Sequence, residues 1–486
     1  MIENSRPTRL AIIAFFLVFW TSIFCPVSLA EPAKTLIRNA ALLITMDSSL
    51  GASDLGTRVG ADLLIENDKI VAVGQHLSDA GAKVVDATGM IVMPGFIDTH
   101  NHLWQSLIRG CGTNGNLYGW LDACEMPMFN PAITLTRAEA YAGVRLSTLD
   151  LINTGVTTTV EWSHAFSTEF VRGDIQALTD SGLRFVFAYR GHDNLSAIAD
   201  IRLVKQTLID PNPRATFQLA SHPSSAGRQD VKAMARLARE LGVKHHVHLL
   251  ENIADRKENM FDVLAEADAL GPDLLAAHGI HLTDKEIRIL AAHDIRILHN
   301  PLSNMRLASG VIRLPELKQA GVQVGLGLDG GANDTSDMFN TMRAAVGLQR
   351  AKALRADVFP TVSDVLRMAT VDGAKLLGLF DRLGSLTPGK QADLIILNPE
   401  TVNFAPRWDW LSQIVFNGQP QNVEWVFVAG QPLKKRGKLV GVNSSRIVEA
   451  AQKASRRIQG DLAPGETLKK KWGWDEFLME GKEPAR

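Results

Sequence analysis

The middle of the chain alternates short apolar runs with longer stretches of helical periodicity. The apolar runs, rich in β-branched residues, lie at 90–97, 156–160, 183–189, 215–220, 243–249, 274–277, 295–298 and 322–328. Between them lie stretches such as 231–241, in which apolar residues recur at i, i+3, i+4 and i+7. Strands separated by helices in this way indicate parallel βα units. Because eight strands close a (β/α)8 barrel, the pattern predicts an α/β protein built on a TIM-like barrel.

Shorter β-rich runs stand near both ends of the chain. Residues 61–66 and 69–73 alternate as strands do, and the Asn-Asp pair between them is typical of a hairpin. Runs of similar composition return at 392–397 and 423–428. The sequence therefore predicts four segments, which are a signal peptide at 1–30, a small β-sandwich domain formed by 31–92 with 385–445, a barrel at 93–384 and a helical tail at 446–486.

The first thirty residues have the features of an export signal. Two arginines precede an apolar run at 10–20, and the small residues of the sequence SLA follow at 28–30. This order is typical of a secretory signal cleaved after Ala30. The alternative is an uncleaved anchor helix, but the stretch 10–25 is shorter than the roughly 20 residues that span a membrane. We therefore expect a periplasmic or secreted protein without stable membrane contact after cleavage.

Composition narrows the classes of partner. The chain is 46% hydrophobic and 21% charged, as folded soluble proteins are. Its 51 basic and 52 acidic residues give a net charge of −1, so no basic field is present to hold nucleic acid. A small-molecule partner is favoured, and a homo-oligomer remains open. Cys111 and Cys124 either pair in an oxidising compartment or are two buried thiols.

Histidines are concentrated at the ends of the predicted strands. Of 13 histidines, 12 lie between His100 and His299. Those that end or follow a predicted strand are His100, His102, His164, His192, His222, His248, His278 and His299, and Asp329 ends the eighth strand. In a barrel these ends share one face, where active sites lie. The other five are interpreted as structural or surface residues, namely His76, His245, His246, His281 and His293.

One residue separates His100 from His102 at a strand end, so both imidazoles project to the same side. Two nitrogen ligands from one rigid edge suit zinc or iron(II), and a further nitrogen ligand and a carboxylate would complete the set. The sequence therefore predicts a metal centre at this face of the barrel.

Several longer strings carry a family resemblance. They are MPGFIDTHNH at 93–102, HLLE at 248–251, AHGIHLT at 277–283, NPLSNMRLASG at 300–310, GLGLDG at 325–330 and GSLTPGKQADL at 384–394. In this order they resemble the barrel of the amidohydrolase superfamily and its return into the β domain. The chain is most similar to the branch that contains chlorohydrolases and cytosine, guanine and adenosine-type deaminases.

The resemblance implies a role for each matching residue. One divalent metal, zinc or less favourably iron, would be held by His100, His102, His248 and Asp329. Glu251 would exchange protons with the substrate ring, and His278 would orient the water or a substrate oxygen. Asp329 would also take a proton from the attacking water. Residues expected to contact the substrate are Trp104, His222 and Asn304.

One absence and one departure refine these expectations. Binuclear members of the superfamily use a carboxylated lysine on the fourth barrel strand, but neither 183–193 nor 215–223 contains lysine, which favours a single metal. The run GGAND at 330–334 departs from the DGAASNN-like run of many adenosine-type deaminases, so their substrate is not transferred here.

The resulting functional prediction is hydrolytic deamination of a small nitrogen heterocycle. Glu251 favours it, because expelling ammonia from a ring requires an acid to protonate the ring and the leaving group. The alternatives are dechlorination, or amide or urea hydrolysis, at the same site. A further alternative is a periplasmic binding protein that uses the metal only to hold ligand. The tail sequence KKKWGWD at 469–475 is interpreted as a segment docked on the barrel or as an oligomer contact.

Overall fold

The structure is a computed structural model and describes residues 33–330 and 335–462 together with Met1. The predicted signal segment 1–30, all but its first residue, lies outside this range. Seven strands precede the barrel, which are β1 Lys34–Ala40, β2 Leu42–Ile44, β3 Thr57–Arg58, β4 Ala61–Glu66, β5 Lys69–Gly74, β6 Ala82–Asp86 and β7 Ile91–Pro94. β4 and β5 form the predicted hairpin, and four of these strands make a sheet in the order β5-β4-β1-β6.

Eight consecutive strands form a parallel sheet in chain order. They are β8 Phe96–Asp98, β9 Val156–Ser163, β10 Arg184–Arg190, β11 Ala215–Ser221, β12 Lys244–Leu249, β13 Leu274–His278, β14 Arg296–His299 and β15 Val324–Leu326. The last strand returns to the first, since the Thr99 amide donates to the Leu326 carbonyl at 3.0 Å and the Leu328 amide donates to the His100 carbonyl at 3.1 Å. The (β/α)8 prediction is confirmed.

The two chain ends build one sheet. Its late strands are β16 Leu394–Leu397, β17 Val423–Val428, β18 Gln431–Lys435 and β19 Lys438–Leu439, and its order is β19-β18-β17-β16-β7-β2-β3. Side chains of the four-stranded and seven-stranded sheets share one buried apolar cluster that includes Ile37, Leu63, Val92, Ile396 and Phe427. The chain ends therefore pack as a β-sandwich beside the barrel.

The predicted first barrel strand, 90–97, is two strands of different sheets. β7 pairs with β16 and β2 in the sandwich, whereas β8 pairs with β9 in the barrel. The chain crosses between them at Gly95, where an added Cβ would lie 2.1 Å from Cγ2 of Thr157. Both segments are fully buried, so their continuous apolar pattern gave no sign of the break. The predicted domain boundary between 92 and 93 consequently falls inside β7.

Among the described residues, helices cover the outside of the barrel and one helix follows the last strand of the sandwich. They are α1 Leu117–Trp120, α2 Arg137–Asn153, α3 Thr168–Ser181, α4 Leu195–Val204, α5 Arg228–Leu241, α6 Met260–Glu266, α7 Asp284–Ala292, α8 Pro301–Arg306, α9 Leu314–Gln319, α10 Met338–Ala353, α11 Val362–Met368, α12 Val371–Leu377, α13 Trp410–Phe416 and α14 Ser444–Asp461. α5 buries Val231, Met234, Ala235 and Ala238, the stripe expected from its periodicity. It ends at Gly242, whose φ of +64° suits glycine.

The chain also contains short helical turns, and those that follow β8 and β12 carry residues to the barrel mouth. The 3₁₀ turns are Leu103–Ile108, Met126–Phe129, Ile253–Glu258 and Pro420–Asn422, and the π-helical turns are Leu121–Glu125 and Lys205–Ile209. The long connection after β8 thus folds back over the carboxyl ends of the strands.

The described part of the predicted tail is the helix α14. It buries Ala451, Ala454 and Ile458, and the Arg457 guanidinium donates to the Glu139 carboxylate of α2 at 2.9 Å. Residues 463–486, including the KKKWGWD sequence, lie outside the described residues. Within the described parts of the chain, no helix combines the length and apolarity that crossing a membrane requires.

Candidate metal centre and substrate cavity

The carboxyl ends of four barrel strands bring the predicted histidines and carboxylates together. His100 and His102 follow β8, and His248 is the second-to-last residue of β12. His278 ends β13, and Asp329 follows β15. All are buried, apart from the partly buried His248. Because these strand ends share one face, the side chains converge at the mouth of the barrel.

Four of these residues form a group that can hold a metal ion. One ligand atom from each of His100, His248, His278 and Asp329 lies within 4.8 Å of the others. His102 adjoins the group, since its Nε2 lies 3.2 Å from Nε2 of His248 and 3.5 Å from Oδ1 of Asp329. The predicted ligands are therefore neighbours in space, and His278 lies among them.

The donor set fits a divalent cation. Nε2 of His100 lies 3.0 Å from Oδ1 of Asp329, is fully buried and has no hydrogen-bond partner among the described residues. Burial holds the pKa of His100 and of His248 well below the ordinary value and lowers that of His102 to about 4. Their imidazoles are consequently neutral near pH 7, the form that coordinates a metal. Imidazole nitrogens with one carboxylate suit zinc or iron(II).

The fourth barrel strand supports the expectation of one metal. β11, Ala215–Ser221, has the sequence ATFQLAS and offers no lysine that could be carboxylated. A second ion would lack the bridging ligand that the resemblance implies for binuclear relatives.

Asp98 holds the first and eighth strands in place around the centre. Its carboxylate accepts hydrogen bonds from the amides of His100 and Leu328 and from the side chains of Asn101 and Thr159, at 2.6–3.3 Å. Burial raises its pKa to about 7 against these bonds, which lower it. The two segments that supply His100 and Asp329 are thereby joined through one buried carboxyl.

The backbone is strained at three positions of the site. His278, Asp329 and Leu250, which lies between His248 and Glu251, have φ values of +72°, +58° and +46°. Non-glycine residues in this region cost on the order of 1–3 kcal/mol each. The surrounding packing therefore holds these side chains in orientations that an unstrained chain would not favour.

Glu251 faces His278 at the edge of the metal group. Its Oε2 lies 3.3 Å from Nε2 of His278, and it lines the cavity. Burial, and then the charge of Asp329, raise the pKa of Glu251 well above its ordinary value. Burial lowers the pKa of His278 to about 3. A carboxyl group that holds its proton more tightly than usual thus stands beside a neutral imidazole, an arrangement suited to proton transfer.

Asn304 orients His278. Its Nδ2 donates to Nδ1 of His278 at 2.9 Å, which leaves the imidazole proton on Nε2, facing Glu251. Asn304 is buried and is not among the side chains that line the cavity; the structure places it against His278, and its expected contact with substrate stays a prediction. It acts through His278.

A cavity of about 170 Å³ opens above the metal group. Its wall combines aromatic and ionisable side chains, namely His102, Gln105, Leu117, Tyr118, Trp120, Leu121, Glu125, Met126, Trp162, His164, Arg190, His222, His248, Glu251, Asp255, Leu307 and Asp329. His222 lines it as expected. Of the other strand-end histidines, His192 instead pairs with Asp230 at 3.0 Å, half-exposed to solvent.

Trp104 lies behind the cavity wall and does not contact its interior. It is fully buried, and its indole nitrogen donates to Nδ1 of His164 at 2.9 Å. Nε2 of His164 in turn lies 3.1 Å from Oε1 of Glu125, whose other oxygen accepts from Gln105 at 3.2 Å. The side chain of Trp104 thus contacts His164, which in turn contacts Glu125, and its expected contact with substrate stays a prediction.

Sequence reasoning missed several cavity residues. Glu125, Tyr118 and Trp120 come from the long connection after β8, which has no strand or helix periodicity of its own. Arg190 ends β10 and stacks over Phe129 with its guanidinium carbon 4.8 Å from the ring centre. Its place at the end of a barrel strand could have identified it, but only the histidines at strand ends were considered as site residues.

A disulfide joins Cys111 to Cys124 across the connection after β8. The loop that it closes supplies Leu117, Tyr118 and Trp120 to the cavity wall. Of the two alternatives left open by the sequence, the structure contains the paired form.

Known proteins are similar in sequence to this chain over most of its length. The 5'-deoxyadenosine deaminase of Methanobrevibacter smithii is 31% identical over 445 residues, which cover 87% of this chain and 98% of that protein. The 5-methylthioadenosine/S-adenosylhomocysteine deaminase of Thermococcus sibiricus is 34% identical over 392 residues, which cover 77% of this chain and 89% of that protein.

Solved structures share the fold. An adenosine deaminase from Xanthomonas campestris with bound zinc superposes with a TM-score of 0.78 at 25% identity, covering 88% of this chain and 99% of that one. An atrazine chlorohydrolase from Arthrobacter aurescens complexed with zinc has a TM-score of 0.77 at 23% identity, covering 87% and 100%. The second similarity concerns the fold alone.

The sequence model of the amidohydrolase family matches residues 91–433, from β7 into β18. This span contains the whole barrel, the metal group and Glu251. The prediction that the protein is an enzyme is confirmed, and none of these similarities supports the alternative of a protein that only binds a ligand. The chain belongs to the amidohydrolase family, as a metal-dependent hydrolase of carbon–nitrogen bonds.

Proposed function

We propose that the protein removes an exocyclic amino group hydrolytically from a nitrogen heterocycle, with an adenosine derivative as the favoured substrate class and zinc as the favoured metal. The observation that carries the proposal is the pair of Glu251 and His278, 3.3 Å apart beside the metal group. The names of the two relatives described above, both deaminases of adenosine derivatives, favour the substrate class. The zinc of the Xanthomonas campestris deaminase favours the metal.

The reaction adds water to the ring carbon and expels ammonia. When bound to His100, His102, His248 and Asp329, a divalent cation lowers the pKa of water to about 7 and so makes hydroxide available. Asp329 accepts the proton that the attacking water loses. The carbon–oxygen bond forms, the carbon–nitrogen bond breaks, and the ring retains the oxygen.

Glu251 supplies the protons that the leaving amine requires. Because burial raises its pKa, it retains a proton near neutral pH and donates it to a ring nitrogen. The carboxylate that results accepts the proton held by Asp329 and passes it to the departing nitrogen, which leaves as ammonia. The proton of the added hydroxyl then returns to Glu251 as the ring carbonyl forms. His278 donates a hydrogen bond from its Nε2–H to the oxygen on the ring carbon, and Asn304 keeps it in that tautomer.

The cavity wall suits a planar ring with polar substituents. Trp120 and Trp162 line it beside the metal group, and Glu125 presents a carboxylate to the interior. Aromatic faces contact a heterocycle over a large apolar area, whereas Glu125 accepts hydrogen bonds from ligand hydroxyl or amino groups.

We also propose that the chain is exported and loses residues 1–30. The disulfide between Cys111 and Cys124 supports this proposal, because disulfides persist in oxidising compartments such as the periplasm and are rare in the cytosol.

Glu251→Gln tests the proposed reaction. Glutamine has nearly the same shape but delivers no proton, so kcat on an amino-substituted ring should fall by about 10²–10⁴-fold, with fold and metal content unchanged. The matched chloro-substituted ring has a better leaving group and should lose less. Glu266→Gln, at an exposed position on α6, is the control and should leave kcat unchanged.

Ammonia release should first be measured with aminopurine nucleosides, aminopyrimidines and aminotriazines. Equal losses on amino and chloro rings would mean that Glu251 acts on water and not on the leaving group. No loss on either ring, or release of chloride but never ammonia from the panel, would overturn the proposed deamination in favour of the alternatives.

A further inference from the structure

His246 is a buried histidine that the predicted ligand set does not include. It lies on β12 two residues before His248, so both side chains project to the same side of the strand. Its Nε2 lies 3.0 Å from Nδ1 of His100, and no solvent reaches either side chain. His246, interpreted from the sequence as a structural or surface residue, is buried and contacts the metal group through His100.

The geometry of His100 determines where its proton must lie. Nε2 faces Oδ1 of Asp329 at 3.0 Å and is the nitrogen directed at the metal group. A neutral imidazole that coordinates through Nε2 carries its proton on Nδ1. That proton points at Nε2 of His246, which accepts it only if His246 is itself neutral and protonated on Nδ1.

We propose that His246 is a positioning residue for the metal, which accepts a hydrogen bond from His100 and so fixes the tautomer and ring orientation of that ligand. Metal-ligating histidines commonly donate their other N–H to a carboxylate, a carbonyl or water, and an imidazole acceptor serves the same purpose here. The inference rests on the divalent-metal site and is independent of which ring is the substrate.

The two histidines after β8 differ in how they are held. Nδ1 of His102 lies 2.8 Å from the backbone carbonyl of Trp162, an acceptor that no substitution removes. The acceptor for His100 is a side chain, which a substitution does remove. Trp162 also donates from its indole to the His246 carbonyl at 3.3 Å, so one tryptophan contacts the supports of both ligands.

His245 provides a matched control. It is the neighbouring residue on β12 and is equally buried. Its imidazole also forms a hydrogen bond with another side chain, since its Nε2 lies 2.7 Å from Oγ of Ser221. Because side chains alternate along a strand, it projects away from His100. A general disturbance of β12 should affect variants at both positions, whereas loss of the acceptor should affect only His246.

The test measures the dissociation constant of Zn²⁺ by competition with a chelator, in the full chain. His246→Leu should weaken binding by about 10–100-fold, as loss of an outer partner of a ligand typically does. His246→Gln places a carbonyl oxygen where Nε2 was and should restore most of the affinity. His245→Leu should bind Zn²⁺ as the wild-type protein does, even if its melting temperature falls.

Equal losses in His246→Leu and His246→Gln would overturn the proposal, because packing and not the acceptor would then be responsible. A loss as large in His245→Leu, or no loss in His246→Leu, would overturn it as well. If His246→Leu does not fold, long-range ¹⁵N–¹H spectra of the Zn²⁺-loaded wild-type protein decide the question. They should show His246 protonated on Nδ1, and protonation on Nε2 would contradict the inference.

Discussion

The Tyr118 hydroxyl donates to Oδ1 of Asp255 at 2.5 Å across the mouth of the cavity. Tyr118 belongs to the loop closed by the disulfide, and Asp255 lies in the 3₁₀ turn that follows Glu251. Burial and this hydrogen bond raise the pKa of Tyr118, so the phenol stays protonated and remains a donor. The bond therefore ties the loop over the cavity to the segment that carries the proposed acid.

Tyr118→Phe should raise KM several-fold with a smaller change in kcat. A hydrogen bond to a charged group is worth about 1.5–3 kcal/mol, and its loss would let the loop move away from the cavity. The control is Tyr141→Phe, because Tyr141 makes a similar bond to Asp180 on the outer helices, at 3.0 Å. Steady-state kinetics compare the two, and an equal KM in both variants would show that the bond does not shape the cavity.

The Cys111→Ser/Cys124→Ser double variant should be less stable by about 2–4 kcal/mol, because a short cross-linked loop gains freedom in the unfolded chain. KM should rise too, since that loop carries Leu117, Tyr118 and Trp120 into the cavity. Urea unfolding and kinetics measure both effects, and reduction of the wild-type protein should reproduce them. Two free thiols in untreated, exported protein would contradict the structure.

Purified protein should contain about one divalent metal ion per chain. Elemental analysis measures it, and two ions per active chain would contradict the expectation drawn from the lysine-free fourth strand. His100→Ala and His248→Ala should lose the metal, because the remaining ligands rarely hold it tightly. His293→Ala is the control, as that histidine is exposed at the end of α7.

The exported protein should begin at Glu31. Mass spectrometry of its N-terminal peptide tests the proposal, and Ala30→Leu should block the cleavage, because a small residue is required before the cut. An exported chain that still contains Arg9 would contradict it.

The metal group could be predicted from the sequence, because its residues stand at the ends of strands that the apolar pattern identifies. His100 and His102 stand where a buried strand stops, and His248, His278 and Asp329 repeat that arrangement on other strands. Parallel strands place such ends on one face whatever the connections do. The fold and the concentration of histidines at one face were accordingly predicted from local patterns, whereas the choice of His248 and Asp329 as ligands came from the family resemblance.

Much of the cavity wall could not be predicted from the sequence, because the positions of its other residues depend on how the loops fold. Glu125 and Tyr118 belong to a connection that is tied by the disulfide and by contacts with the segments that follow β9 and β12. Trp104 lies next to the metal motif in sequence, but its ring turns away from the cavity. The contact between His246 and His100 could not be predicted either, because a strand pattern does not show which neighbouring side chain an inward residue meets.

The position of β7 has a consequence for synthesis of the chain on the ribosome. β7 lies between β2, made shortly before it, and β16, which begins at Leu394. Residues 95–393 are translated between the two, which takes about 15–60 s at roughly 5–20 residues per second. Until β16 is available, whether during synthesis or after export, a β7 paired with β2 would have an unpaired edge of the kind that recruits other chains. The sandwich is thus completed only as translation nears its end, and a message truncated before β16 yields an aggregation-prone product and not a smaller enzyme.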